Sequence, residues 1–192
     1  MVKMKIILGS NSKRRKELLD MIKIKYEIVV SDEDEVIDSN LSNLENCQNI
    51  SLQKALNVKK KTSGDRIIIT CDTIVIKNNK LYGKPKDRLD AINMLKILSN
   101  TYHEVISCLT IIKIKDNKEE IFKDYSTCKV YIDNLTEEEI ITWVDNNNPY
   151  DKAGSYAIQE EFAKHIIKIE GDFYTIVGLP LNKLYNILKQ IN

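Results

Sequence analysis

The chain has 192 residues, which suits one domain or a compact two-lobed one with a substantial buried core. Its 29 Lys and Arg against 28 Asp and Glu leave a formal net charge of +1, so no global field selects nucleic acid or an anionic membrane, and any attraction for anions is local. No apolar run is long enough to cross a bilayer, and MVKMKIILGSNS lacks the apolar stretch and small-residue cleavage site of a secretory signal, so the cytoplasm is the expected compartment.

Ile6, Ile7 and Leu8 read as a short buried strand that ends in the turn-forming run Gly9, Ser10, Asn11 and Ser12. A helix is expected from Ser12, a good N-cap, with Leu18, Leu19 and Ile22 inward. Strand, polar turn and helix N-terminus together favour an anion, because the first helical N–H groups lack intrahelical partners. Arg14 and Arg15 sit in that first turn against the helix dipole, which makes phosphate a fitting partner for their planar forks. A solvated basic turn accounts for the same residues. Tyr26 to Val30 reads as a second strand, followed by Asp32, Glu33, Asp34 and Glu35. This acidic cluster is either a solvated loop or a carboxylate source for Mg²⁺, which shares its shell with phosphate.

Ser42 to Lys61 is a long helix with an approximate stripe of Leu44, Cys47, Ile50, Leu52, Ala55 and Val58, and Lys54 just off it. Ile67 to Thr70 is an apolar β-branched strand running into Cys71, Asp72 and Thr73. A carboxylate after such a strand is costly unless it lies at the sheet's mouth and is used, so Asp72 is the best candidate for a catalytic or metal-binding acid. Ile74 to Ile76 and Leu81–Tyr82 form a hairpin through Asn78–Asn79. Lys84 follows, held extended by Pro85 and suited to a phosphate. Asp87 caps a helix to about Ser99. His103 to Lys115 and Ile121 to Ile132 are strands joined at Asp116–Asn117. Thr136 and Glu139 form a capping box. Tyr150 to Gln159 then crowds Asp151, Lys152, Ser155, Tyr156 and Gln159 around Gly154, as a ligand wall would, and Gln159 has the paired donor and acceptor that read a base edge. Ile166 to Ile169 is a strand, Phe173 to Val177 its return, and Pro180 opens the last helix. Cys47, Cys71, Cys108 and Cys128 are scattered and read as small buried hydrophobes, and His103 and His165 are not at ligand spacing.

With these residues in place the chain resembles the Maf family of nucleoside triphosphate pyrophosphatases. The resemblance rests on Ser10-x-Ser12-x-Arg14-Arg15, Lys54-Ala55, Asp72-Thr73, Gly83-Lys84-Pro85, His103-x-Val105, Asp151-Lys152-Ala153-Gly154-x-Tyr156-x-Ile158-Gln159 and Gly178-Leu179-Pro180, which span nearly the whole chain. It implies one catalytic domain over 1–192 with an α/β, Maf/ITPase-like fold: an elongated mixed sheet with flanking helices, forming two lobes around a deep cleft, often in a homodimer. It implies hydrolysis of nucleoside triphosphates to the monophosphate and pyrophosphate with a divalent metal, Mg²⁺ or else Mn²⁺ or Co²⁺. Asp72 falls at the catalytic acid/base position. Arg14, Thr73 and Gln159 fall at positions of substrate choice. Ser10, Ser12, Arg15, Lys54 and Lys84 fall at phosphate-contacting ones. Asp72 and one of Asp34 and Glu35, taken as Glu35, fall where metal-associated carboxylates belong, and Asp151, Lys152 and Tyr156 complete the cleft.

The DKAGxYxIQ form resembles the branch acting on dTTP and UTP. Four positions depart from the family's usual pattern: Glu160 and Phe162 replace common glycines, Asn148 a frequent Glu, and Ser107 a common Thr. Glu160 adds negative charge beside a pocket for an anionic ligand, and is expected to shift the substrate range or weaken binding. A pyrophosphatase for purine or modified nucleotides is therefore the second enzymatic reading. A non-catalytic, nucleotide-binding regulator of cell division and septum formation is the third. The intact Asp72, Lys84 and Gln159 set argues against pure binding, and the near-neutral charge argues against nucleic acid as partner.

Overall fold

A computed structural model describes residues 4–191. A mixed sheet of seven strands runs in the order β2-β1-β3-β5-β6-β7, with β4 paired to β3. Strand β1 (Lys5–Leu8) lies parallel to both β2 (Glu27–Ile28) and β3 (Arg66–Lys77), with Leu8 opposite Ile69. Strand β4 (Lys80–Tyr82) returns antiparallel on β3 through Asn78 and Asn79, both at positive φ, the conformation that a tight two-residue hairpin turn requires. Strands β5 (Thr101–Lys115) and β6 (Lys118–Ile132) are joined by Asp116 and Asn117, also at positive φ, and β7 (Ile166–Glu170) pairs antiparallel with β6.

Among the described residues six α-helices flank the sheet: α1 (Lys13–Met21), α2 (Asn43–Lys60), α3 (Arg88–Leu98), α4 (Glu137–Asn146), α5 (Phe173–Val177) and α6 (Leu181–Ile191). Their starts follow local chemistry. Ser12 caps α1 and Asp87 caps α3, while Ser42 with Glu45 and Thr136 with Glu139 form full capping boxes on α2 and α4.

Two compact units divide the chain. Unit 1 holds residues 1–72, 107–126 and 178–192, and unit 2 holds residues 73–106 and 127–177. In unit 1, Ile7, Ala55, Val58, Ile68 and Ile112 form a core cluster that Val29, Leu56 and Ile114 extend. In unit 2, α3 packs on α4 and on the turn at Ala153–Ser155. Phe162 is fully buried there, with Trp143, Tyr156 and His165 around its ring at 5.0–5.3 Å between centroids.

Four expectations change. The second strand is only the pair Glu27–Ile28, because it is an edge strand matched to the last two residues of a four-residue β1. Phe173–Val177 is a helix and not a return strand. Asp172 accepts from the N–H of Tyr174 (3.3 Å) and from the N–H (3.0 Å) and hydroxyl (2.9 Å) of Thr175, and this cap overrides the β-branched composition. Asp72 lies inside β3 and not beyond its end, since the strand continues without a break to Lys77. Finally, Leu44, Leu52 and Ile22 are only half-buried, and α2 buries Asn46, Ser51 and Asn57 in place of the two leucines. All four cysteines are reduced and buried, as expected.

Candidate active site

In unit 1 the sharp exit from β1 depends on Gly9. Its N–H donates to the Ile69 carbonyl at 2.8 Å, and a Cβ there would stand 2.5 Å from Thr70 Cγ2. A larger residue there must displace the Thr70 side chain and crowd Val58. The next residue, Ser10, is buried, and its hydroxyl accepts from the Ser12 N–H (3.2 Å) and from the Arg15 guanidinium (3.1 Å). Ser12 in turn caps α1 through the Arg15 N–H, and Arg15 Nε donates to the Gly178 carbonyl at 2.9 Å. The nearby Ser10 hydroxyl and the Gly178 carbonyl, distant in sequence, thus hold one guanidinium at the N-terminus of α1. Arg14 lies half-buried in the same helical turn.

The acid cluster resolves into ion pairs along α2. Asp32 meets Lys61 at 2.7 Å and Glu33 meets Lys60 at 3.1 Å. The third pair differs, because Lys54 Nζ is 2.7 Å from Glu35 Oε1 and also 2.7 Å from Asp72 Oδ1. Of Asp34 and Glu35, Glu35 is therefore the one that shares the Lys54 ammonium with Asp72. Lys54 and Asp72 are largely enclosed, with side chains 18% and 10% exposed, whereas Glu35 is 56% exposed. Burial works against the charged lysine, but the Asp72 and Glu35 carboxylates outweigh it and hold the ammonium's pKa above its ordinary value. The Asp72 carbonyl accepts from the thiols of Cys47 and Cys71 at 3.5 and 3.6 Å. Burial pushes the Cys71 thiol up to about 11, so it stays protonated and inert beside the site.

The site offers oxygen donors of the kind a hard divalent cation takes, with the Lys54 ammonium standing between them. Its donors are carboxylate oxygens, and each is 2.7 Å from the same nitrogen, so the two lie within twice that distance of one another. Mg²⁺ is usually held by one or two carboxylates and completes its shell with water and phosphate. Among the described residues no group of three or more His, Cys, Asp and Glu side chains could hold a metal, so substrate oxygens would have to supply the rest.

Unit 2 carries the other expected residues. Thr73 follows Asp72 on β3 and is half-buried. Lys84 is exposed on the connection between β4 and α3, anchored by buried Pro85 and by the Gly83 carbonyl, which accepts from the Gly154 N–H at 3.1 Å. Gly154 and Ser155 both have positive φ, 71° and 67°. The Trp143 indole N–H holds this conformation by donating to the Ser155 carbonyl at 2.8 Å. Gln159 is exposed at the end of the segment. Tyr156 is buried, and its hydroxyl sits 2.7 Å from His103 Nε2. Its ring packs in the aromatic core against Phe162. Lys152 is buried among oxygens: the Asn148 carbonyl at 2.5 Å, Asp151 Oδ1 at 2.9 Å and Glu160 Oε2 at 3.5 Å. The negative charge that Glu160 adds thus faces the Lys152 ammonium.

Sequence reasoning missed the double role of Lys54, the Gly178 carbonyl on Arg15, and the Asn46 side chain. Asn46 accepts from the Asp38 N–H (2.8 Å) and donates to the Asp38 and Leu41 carbonyls (2.9 and 3.2 Å), which secures the segment after Glu35 to α2. An Asn inside an apolar stripe was the available signal.

The family model described as Maf-like protein matches residues 5–191. A protein of Thermoanaerobacter sp. (strain X514) named dTTP/UTP pyrophosphatase is 42% identical over 187 residues, which cover 97% of this chain and 96% of that protein. Proteins of the same name from Alkaliphilus oremlandii (strain OhILAs) and Clostridium botulinum (strain Okra / Type B1) are 41% and 44% identical, over 96% and 97% of this chain and 94% and 96% of their own lengths. A family match over residues 5–191 and relatives above 40% identity over nearly the whole chain establish that the chain belongs to the Maf family.

Proposed function

We propose that this protein is a nucleoside triphosphate pyrophosphatase that hydrolyses dTTP and UTP to the monophosphate and pyrophosphate, with 1–192 acting as one catalytic domain. The observation that carries this reading is the Glu35–Lys54–Asp72 bridge in the same unit as the Ser10–Arg15 turn, together with the shared name of the relatives. One element set holds a carboxylate in place and another presents fixed cations and helix N–H groups, which is what attack on a phosphoanhydride requires.

In this mechanism a water oxygen bonds to the α-phosphorus as the bond to the α,β-bridging oxygen breaks. Pyrophosphate leaves with that electron pair. Asp72 is the acceptor of the water's proton. Lys54 donates to Oδ1 and leaves Oδ2 as the oxygen that takes the proton. Arg15, already oriented by Ser10 and Gly178, and Lys54 stabilise charge on the phosphates, with Ser10, Ser12 and Lys84 as further contacts. Glu35 and Asp72 would hold the divalent cation, Mg²⁺ or else Mn²⁺ or Co²⁺, which when bound supplies positive charge to phosphate oxygens. Arg14, Thr73 and Gln159 are assigned to substrate choice, with Gln159 reading the pyrimidine edge.

The test is pyrophosphate release with Mg²⁺ across dTTP, UTP, CTP, dCTP, ITP, GTP and 7-methyl-GTP, with Asp72→Asn as control. A preference for dTTP and UTP that is lost in Asp72→Asn, in protein that melts like wild type, is the expected result. Release at wild-type rate in Asp72→Asn removes Asp72 from the chemistry, and no release from any substrate by folded wild type removes the enzymatic reading.

A further inference from the structure

The segment that presents Gln159 is an arch with two buried feet. On one side Tyr156, Ala157 and Ile158 are buried, and on the other Phe162 is enclosed by Trp143, Tyr156 and His165. Between the feet stand Gln159, Glu160 and Glu161. Backbone bonds from the Glu160 N–H to the Ala157 carbonyl (3.2 Å) and from the Ala163 N–H to the Glu160 carbonyl (2.9 Å) shape the arch but do not tie it sideways. The sideways tie is the Glu160 carboxylate, 3.5 Å from Lys152 Nζ. That ammonium is itself fixed: its side chain is 7% exposed, and it donates to the Asn148 carbonyl and to Asp151. Two of its three N–H donors are thus used, and Glu160 faces the same ammonium as a longer ion pair.

We propose that Glu160 is a positioning residue for base selection: it braces the Gln159 arch against the buried Lys152 and so sets where the Gln159 amide points. This rests on Gln159 reading the base. It replaces the expectation from charge alone, in which the Glu160 carboxylate repels an anionic substrate. Lys152 offsets one of the two carboxylate charges of Asp151 and Glu160, and a brace next to a base-reading amide changes the amide's geometry as well.

The experiment compares wild type, Glu160→Ala, Glu160→Gln and Gln159→Ala in steady-state pyrophosphate release from dTTP and from CTP. Glu160→Ala is expected to raise KM for dTTP by about three-fold and to narrow the dTTP-over-CTP ratio of kcat/KM by a similar factor, the scale of one partly exposed ion pair. Its kcat stays within about two-fold, because no group that acts in the transition state is lost. Glu160→Gln keeps the side-chain length and one oxygen acceptor and recovers most of the ratio. An unchanged ratio in Glu160→Ala, or an equal loss on both triphosphates, overturns the bracing role. A lower KM in both Glu160 variants overturns it in favour of repulsion. Gln159→Ala separates the two levels: if it leaves the ratio intact, base reading by Gln159 fails and the bracing role falls with it. If it collapses the ratio while Glu160→Ala does not, only the bracing role fails.

Discussion

Lys54→Met is the most informative single perturbation of the candidate site. Wild type places one ammonium 2.7 Å from an oxygen of each of two carboxylates, and Asp72 is almost enclosed. Methionine fills the same space without charge, leaving Asp72 and Glu35 to face each other with no cation between them. Removing one partner from a fully buried pair typically costs about 3–5 kcal/mol. Glu35 is more than half exposed and Lys54 is partly so, which screens the loss, and about 2 kcal/mol is the expected cost. For a chain of this size that is a fall in Tm of about 4–8 °C. The same change should slow pyrophosphate release by about 10²-fold, the usual loss for one preorganised charge acting on the transition state. The diagnostic assay is differential scanning fluorimetry with and without Mg²⁺ and no nucleotide. With the ammonium gone, the carboxylate pair is open to a divalent cation, so Mg²⁺ should raise the Tm of the variant more than that of wild type. A metal-free variant that melts within about 1 °C of wild type and gains nothing extra from Mg²⁺ would refute the bridge as an electrostatic unit.

Two further outcomes follow from burial. His103 is enclosed, with Nε2 on the Tyr156 hydroxyl, and burial followed by the nearby Lys77 charge lowers its pKa to about 3. The unfolded chain takes up that proton near pH 6.5, so this contribution to stability is complete above that pH and is lost as pH falls toward the folded value. Between pH 7 and pH 5 the loss is about 2 kcal/mol, read from urea unfolding midpoints. His103→Asn should flatten that slope whatever its absolute stability, and an identical slope would show that other groups carry it. At Gly9, an added Cβ meets Thr70, whose hydroxyl is tied to the Ser51 carbonyl at 2.7 Å and cannot swing aside. Gly9→Ala should cost about 1–3 kcal/mol and raise KM for the triphosphate by displacing Ser10, and an unchanged Tm would count against the close approach.

Local chemistry explains which parts of the fold were legible in advance. Capping boxes at Ser42/Glu45 and Thr136/Glu139, the Asp87 cap and the paired Asn and Asp residues at the hairpin turns act within four residues, and each element they mark begins or turns where expected. Phe173–Val177 failed for the same reason in reverse, since Asp172 caps it more strongly than its composition favours a strand. Strand β2 and the interior position of Asp72 depend on what the partner strands offer, and no local signal encodes that. The site behaves likewise. Ser10, Arg15, Lys54 and Asp72 each stand out by residue type and motif. Apart from Ser10 to Arg15, the contacts that place them are long-range, such as Lys54 to Asp72, 18 positions apart, and Arg15 to Gly178, 163 apart.

The polar residues that α2 buries show why the bridge lay beyond an apolar-stripe reading. Cys47, Ser51 and Lys54 recur at spacings of four and three, one face of a helix, and Thr70 and Asp72 share one face of β3. Along that seam the Cys47 thiol donates to the Asp72 carbonyl, Ser51 and Thr70 each donate a hydroxyl to the other's carbonyl, and Lys54 donates to the Asp72 carboxylate. The seam is polar because it sets register. Apolar side chains would let α2 slide on β3 at little cost, whereas a buried hydroxyl displaced from its carbonyl loses a hydrogen bond it cannot replace. Ser51 and Thr70 therefore hold the helix at the position where Lys54 reaches Asp72. A stripe judged on hydropathy discounts Ser51 and Lys54 for the property that makes them functional.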